Sequence, residues 1–213
     1  MNVVFKYSKD FVKTVVLARL LSDRFVVPYL FFFASIVLRF RKPTIVGVTG
    51  SVGKSTTTEM IALVLTHKRA VPFVGLANNT ANNMNDNAGL ALTVLGYDTW
   101  PGDYLPIKFL ALLKLPVRVW RLLTTPYYPR VLVLEYGASD VGTIERLSRF
   151  AKPTVSVVTT IGPAHLETLR TVEGVMNEKS FLIRATPERG KVILGDGHEF
   201  VEELANRSKA PVV

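Results

Sequence analysis

The stretch GVTGSVGKSTT, residues 47–57, decides the reading of this 213-residue chain. It follows an apolar run, Thr44 to Val48, with the composition of a buried strand, and opens into STTTEMIALVL, whose pattern is helical. Gly50 and Gly53 let the backbone turn tightly and aim N–H groups at phosphate oxygens; the helix N-terminus adds the positive end of its dipole. Such a cradle runs from Gly50 through Ser51, Val52 and Gly53. It sets the Lys54 ammonium on the terminal phosphates and the hydroxyl of Ser55 or Thr56 on Mg²⁺. The usual spacing asks for glycine at position 48, where Val48 stands, and Gly47 comes one residue early. The match is to a variant of the pattern. A glycine-rich turn alone is ordinary loop chemistry; with strand, lysine, hydroxyls and helix in register, it reads as a nucleotide site.

Working outward from the loop, β-branched apolar runs recur at Thr44–Val48, Val131–Glu135, Val155–Thr160 and Val192–Leu194. Between them lie amphipathic stretches at Thr56–Leu65, Asn87–Leu95, Gly142–Phe150 and Val172–Arg184. This alternation predicts an α/β fold, a mostly parallel, doubly wound sheet with helices on both faces. Ligands of such sheets gather at the carboxyl ends of strands, where Gly50–Ser55, Glu135–Ser139 and Thr160–His165 would all sit.

Several residues at that edge are candidates for chemistry. Glu135 ends the strand VLVLE and is positioned to hold a metal on the phosphates, although a strand-end acid can equally cap a loop. His165, in TTIGPAHLE, reads as a turn residue or a ligand. Lys179, in VEGVMNEKSFLI, looks by itself like a solvated helix lysine. Asn83 and Asn85, in NNTANNMNDNAG, look like turn formers.

Charge is unevenly spread. The net +9 resides in residues 1–43, with eight Lys/Arg and two acids, and in residues 97–130, with five and two. The cations flank apolar runs, which suggests anionic lipid headgroups and argues against nucleic acid, whose binders line a working face with charge and aromatics. Within the N-terminal segment, FVKTVVLARLL (Phe11 to Leu21) precedes FVVPYLFFFASIVL (Phe25 to Leu38), the latter too short to span a bilayer and shortened further by Pro28. A membrane-surface or re-entrant helix, a helix packed on the domain, and a subunit contact all remain open. In IKFLALLKLPVRVWRLL, Lys114, Arg118 and Arg121 recur at helical spacing against Phe109, Leu110, Leu113, Trp120 and Leu123, and Pro116 should kink or divide the helix. With no cysteine, disulfides, thiolate zinc sites and thiol nucleophiles are excluded.

Taken together, these motifs resemble those of the Mur ligase family, most closely the branch that adds D-alanyl-D-alanine to a cell-wall precursor. The loop GVTGSVGKSTT, the asparagine-rich TANNMNDNAGLALTVLG, and the run LVLEYGASDVGTIERLSRFAKPTVSVVTTIGPAHLETLRTVEGVMNEKS carry the likeness. It extends from Pro43 to about Asp196, apart from residues 97–130.

The resemblance implies a cytoplasmic, ATP- and Mg²⁺-dependent amide ligase. It divides the chain into an N-terminal basic, apolar helical segment (1–43) and an ATP-binding central domain (44–213) with an insertion at about 97–130. Lys54 and the backbone of residues 50–55 would bind the ATP phosphates, and Ser55 and Glu135 one Mg²⁺. His165 would bind a second Mg²⁺, placed with the help of Lys179, the counterpart of a lysine that is carbamylated in the family. Asn83 and Asn85 would face the UDP-MurNAc-peptide or the transferred phosphate. The family's uridine-nucleotide domain has no counterpart here, and its central and C-terminal domains continue beyond the position of Val213. The expectation is a chain that binds ATP but does not ligate alone, with a partner chain completing it and a membrane surface as a further contact. Other Mur ligases and the folate polyglutamate ligases share the loop, although the segments around Asn85 and His165 favour the dipeptide-adding branch. Two rivals of other classes stand beside this reading. Asp86-Asn87-Ala88-Gly89 fits the Asp-x-x-Gly pattern of a GTPase, though no Asn-Lys-x-Asp signature accompanies it; and a membrane-associated nucleotide-binding module would need no catalysis of its own.

Overall fold

Aliphatic runs bounded by turns assemble into a five-stranded sheet in which every strand runs parallel. The computed structural model describes residues 22–67, 74–77, 87–97, 110–138, 140–196 and 199–213. The chain enters through a π-helical turn (Ser22–Val26) that continues into α1 (Val27–Arg41). It then forms β1 (Thr44–Thr49), α2 (Lys54–His67), β2 (Val74–Ala77), α3 (Asn87–Val94), α4 (Leu115–Thr124), β3 (Val131–Glu135) and α5 (Thr143–Phe150). β4 (Val155–Val158), α6 (Leu166–Leu169), α7 (Val172–Ala185), β5 (Lys191–Leu194) and α8 (Val201–Asn206) complete it.

The strand order is β2-β3-β1-β4-β5, with Val46 facing Val133 on one side and Val155 on the other. Both faces of the sheet are covered. Leu132 and Leu134 of β3 join a core with Leu30, Ala34 and Val37 of α1 and the buried side of α3, while Val131 and Val133 meet Ala62 of α2 on the opposite face. Alternate residues of one strand thus feed two cores, as a parallel sheet between helical layers requires. Val212 bridges Val192 in parallel and extends the pairing beyond β5.

The fold departs from the sequence expectation in local ways. β2, whose short run VGLA carries little β-branching, is a strand because β3 offers it a partner. α2 begins at Lys54, two residues earlier than expected. β4 ends at Val158, and although the Thr159 N–H still donates to Thr49 O, the hydroxyls of Thr159 and Thr160 bond the glycine loop. Pro116 divides its segment, standing in the first turn of α4 where its missing N–H costs nothing.

α1 packs on the body of the domain. Leu30, Ala34 and Val37 recur at helical spacing and are fully buried, Phe31 stacks on Phe150 with ring centroids 4.2 Å apart, and the Arg41 guanidinium donates to Leu122 O and Thr125 O. Arg118 turns inward, with Nε donating to Leu95 O at 2.6 Å and its guanidinium 3.8 Å from the centroid of the Tyr97 ring. One cation of the expected basic stripe is therefore a structural tie. Among the described residues, no helix is long and apolar enough to cross a membrane.

Candidate active site at the carboxyl edge of the sheet

Three segments meet at this edge: the loop after β1, the end of β3, and the turn after β4. In the loop, Gly50 has φ +150° and Gly53 φ +82°, conformations that L side chains rarely adopt. A Cβ on Gly50 would also lie 1.9 Å from Thr159 Oγ1. The loop is laced to the segment after β4. Ser51 N–H donates to Thr160 O at 2.8 Å, Ser51 Oγ bonds both the carbonyl (2.9 Å) and the N–H (3.0 Å) of Gly162, and Thr159 Oγ1 donates to Val52 O at 2.5 Å. Gly47 serves a different end. A Cβ there would lie 2.9 Å from the Tyr136 ring and 3.2 Å from Leu182, so this early glycine admits packing and not phosphate.

Beyond the loop, α2 starts at Lys54, and the first N–H groups of a helix have no partner within it. Lys54 Nζ folds back to donate to Gly50 O at 2.9 Å. Ser55 Oγ donates to Glu135 Oε2 at 2.8 Å, joining the first turn of α2 to the last residue of β3. Adjacent oxygen ligands of an octahedral Mg²⁺, each at about 2.1 Å, stand roughly 3.0 Å apart. The hydroxyl and carboxylate are thus already spaced as neighbouring ligands of such an ion.

Lys179 of α7 is 2% exposed. Its ammonium is pulled down to about 8, first by burial and then by the Lys54 cation, with the Glu178 and Glu135 carboxylates acting in the opposite sense. Lys179 therefore feels the charges of Lys54 and Glu135, although the three come from separate elements. His165 belongs to the same edge but is not joined to them. It sits at φ +52° as the residue before α6, with its side chain 45% exposed and Nδ1 3.6 Å from Glu167 Oε1. Its link to the loop runs through the backbone, from Gly162 to Ser51. Among the described residues, no three His, Asp or Glu side chains cluster as a metal site. Asn83 and Asn85, like Asp86 of the GTPase pattern, lie outside the described residues.

Sequence reasoning missed Glu178. It is 2% exposed, and its two carboxylate oxygens accept from Gly142 N–H and Ile144 N–H at 2.7 Å each, capping α5 from another helix. That bond pair fixes the far end of the loop that begins at Glu135. A signal existed: Val175, Met176, Leu182 and Ile183 define the buried stripe of α7, and positions 178 and 179 fall inside it.

The family described as Mur ligase middle domain matches residues 48–100 and 121–213. The UDP-N-acetylmuramoyl-tripeptide--D-alanyl-D-alanine ligase of Bacillus subtilis is 33% identical over 153 residues, 71% of this chain and 26% of that protein. The Haemophilus influenzae ligase of the same name is 28% identical over 170 residues, 78% of this chain and 31% of that one. Among solved structures, MurF ligase from Thermotoga maritima in complex with ADP superposes with a TM-score of 0.63 at 27% identity, covering 88% of this chain and 36% of that one. MurF from Acinetobacter baumannii, at 22% identity and a TM-score of 0.64 over 86% of this chain and 33% of that one, shares the fold. The chain spans between a quarter and a third of the length of these two curated relatives. With the family's middle domain matched over most of its residues, the chain belongs to the Mur ligase family.

Proposed function

We propose that this chain is the ATP-binding part of a ligase that joins D-alanyl-D-alanine to UDP-MurNAc-tripeptide, the reaction for which its relatives are named. The observation that carries the reading is the convergence of Lys54, Glu135 and Lys179. Burial is the first cause of the lowered Lys179 ammonium and the Lys54 cation the second. Two ammonium groups thus share this edge with the Glu135 carboxylate, and a triphosphate with its metal would complement them. The likeness to an ADP-bound MurF structure supports the same choice of nucleotide.

In this reading the backbone from Gly50 through Ser51, Val52, Gly53 and Lys54 to Ser55, with Thr56 behind it, cradles the phosphates, and Lys54 exchanges the Gly50 carbonyl for a phosphate oxygen. Ser55 and Glu135, already one hydrogen bond apart, would hold a Mg²⁺. His165 and a carbamylated Lys179 would serve a second, with Asn83 and Asn85 toward the precursor. Bound Mg²⁺ would neutralise the crowded oxygens as the phosphoryl group moves. A substrate carboxylate is a poor electrophile. Its oxygen attacks the γ-phosphorus, ADP departs, and an acyl phosphate results. The amine of the dipeptide then attacks the acyl carbon and expels phosphate through a tetrahedral intermediate. A buried Lys179 amine, partly neutral near pH 8, can add CO₂ as an ammonium cannot.

The proposal treats residues 1–43 as an N-terminal segment and 44–213 as the central domain, with 97–130 as an insertion. It includes a partner chain that brings the dipeptide, and a cytoplasmic station at the inner face of the membrane. The test is titration of the protein with ADP, with and without Mg²⁺, in parallel with Lys54→Met. We expect saturable binding, weakened at least about tenfold by the substitution, as for loss of a charged phosphate contact. Equal affinity in the two proteins, with circular dichroism unchanged, would refute the assignment.

A further inference from the structure

α1 and α4 lie side by side and run in the same direction. The Tyr29 hydroxyl donates to Leu112 O at 3.3 Å near the start of the pair, and Arg41 Nε donates to Leu122 O at 2.7 Å near its end. Each helix spends one stripe on the core, through Leu30, Ala34 and Val37 in α1 and Leu115 and Val119 in α4. The opposite stripes are apolar too. Phe25 (61%) and Phe32 (62%) are exposed on the N-terminal helix, and Val117 (53%) and Trp120 (65%) on α4. A solvated helix face carries charge there; these faces carry aromatic rings.

Cations dominate the borders of both stripes, with Asp23, next to Arg24, an acid at the start of the first. Residues 24–42 contain Arg24, Arg39, Arg41 and Lys42 and no Asp or Glu; residues 110–130 contain Lys114, Arg118, Arg121 and Arg130 and again no Asp or Glu. Arg41 and Arg118 are committed to backbone carbonyls, but Arg24, Arg39, Lys114 and Arg121 are exposed. α1, at 15 residues, is about 22 Å long, short of the roughly 30 Å of a hydrocarbon core. Its buried stripe also ties it to the domain, and among the described residues no helix is long and apolar enough to cross a membrane, so this face is suited to rest on a bilayer.

We infer that the exposed face of α1 and α4 is a docking surface for an anionic lipid bilayer, with Phe25, Phe32, Val117 and Trp120 inserted at headgroup depth and Arg24, Arg39, Lys114 and Arg121 on the lipid phosphates. The inference specifies the residues of the membrane station named above and stands apart from the ligase chemistry. Aromatic rings at the polar–apolar boundary and cations over an anionic leaflet are the two terms that hold surface helices in place.

The test uses the full chain with Trp100→Phe, so that Trp120 alone reports. Vesicles of phosphatidylcholine with a third phosphatidylglycerol are compared with phosphatidylcholine alone, by co-sedimentation and Trp120 emission. We expect binding to the anionic vesicles, a blue shift of Trp120, and quenching by lipids brominated near the headgroup. Lys114→Glu/Arg121→Glu should lower the partition coefficient by at least about 25-fold, the loss of two cations at roughly fivefold each, with the added anions lowering it further. ADP titration of the same samples reads the nucleotide site separately, and circular dichroism reports folding. Anionic vesicle binding that is undiminished in the Lys114→Glu/Arg121→Glu protein would overturn the inference, as would equal binding to neutral vesicles. So would a dimer that Trp120→Glu dissociates, because the face would then belong to a second copy.

Discussion

Glu178 and Ile144 are joined by a buried hydrogen bond of 2.7 Å, in which a carboxylate from the middle of α7 accepts from the first turn of α5. The second carboxylate oxygen takes the Gly142 N–H at the same length. One side chain thereby sets the distance between the helix that carries Lys179 and the loop that leaves Glu135. Glu178→Ala would strand two backbone donors and cost about 3 kcal/mol. Glu178→Gln keeps one acceptor and should cost roughly half as much. Urea denaturation of the three proteins checks the order; an alanine variant as stable as the parent would remove Glu178 from this role.

The glycine at position 50 is required twice, by its positive φ and by the 1.9 Å approach that a Cβ would make to Thr159 Oγ1. Gly50→Ala is expected to destabilise the fold by about 2–3 kcal/mol and to disorder the loop. Thr159→Ala in the same chain removes the clashing oxygen but not the backbone strain. The double variant should recover about 1 kcal/mol relative to additivity, which thermal denaturation of the four-member cycle measures.

Lys179 makes stability depend on pH with a definite sign. Its amine titrates near 8 in the folded chain and near 10.5, its ordinary value, when unfolded. Between those values the unfolded chain binds more protons, so stability rises with pH across that window and this contribution fades as pH falls toward 8. The full span is on the order of 3 kcal/mol. Lys179→Met should flatten the rise. Chemical denaturation of the metal-free protein at pH 7.5, 9 and 10.5 follows it, and parallel curves for the two proteins would contradict the assignment.

The Ser55–Glu135 pair predicts a metal-specific defect. Ser55→Ala and Glu135→Gln should each reduce the Mg²⁺ enhancement of ADP affinity on the order of tenfold, the scale of a lost coordination contact. Affinity measured in EDTA should change far less. Calorimetry under the two conditions separates the effects, and equal losses in both would point to a general role in shaping the loop.

The layers of this fold were legible because apolar period and strand composition report burial directly, as β3 illustrates: VLVLE is buried at every position. β2 was not, since four residues without strong propensity become a strand only through a neighbour distant in sequence. At the site, Ser55 and Glu135 stand one hydrogen bond apart, as loop and strand-end placement imply. Lys179 was misread from its own segment as a solvated helix lysine; it is buried, as the stripe of Val175, Met176 and Leu182 could have shown. Glu178 was hidden because a buried acid announces itself only through partners, and its partners lie in α5 and the turn before it. Arg118 was misread as part of an outward stripe for a related reason: the carbonyls of Leu95 and Gly96 that draw it inward cannot be seen from its own helix.

The lacing of Ser51 to Thr160 and Gly162, and of Val52 to Thr159, has a thermodynamic outcome for any anion that arrives. Residues that must settle only after a ligand lands surrender conformational entropy at that moment and weaken the complex. Here that surrender is completed during folding, so capture should proceed without a slow rearrangement. The hydrogen-exchange protection of the Ser51 N–H, which is bonded to Thr160 O, should already be high before nucleotide is added.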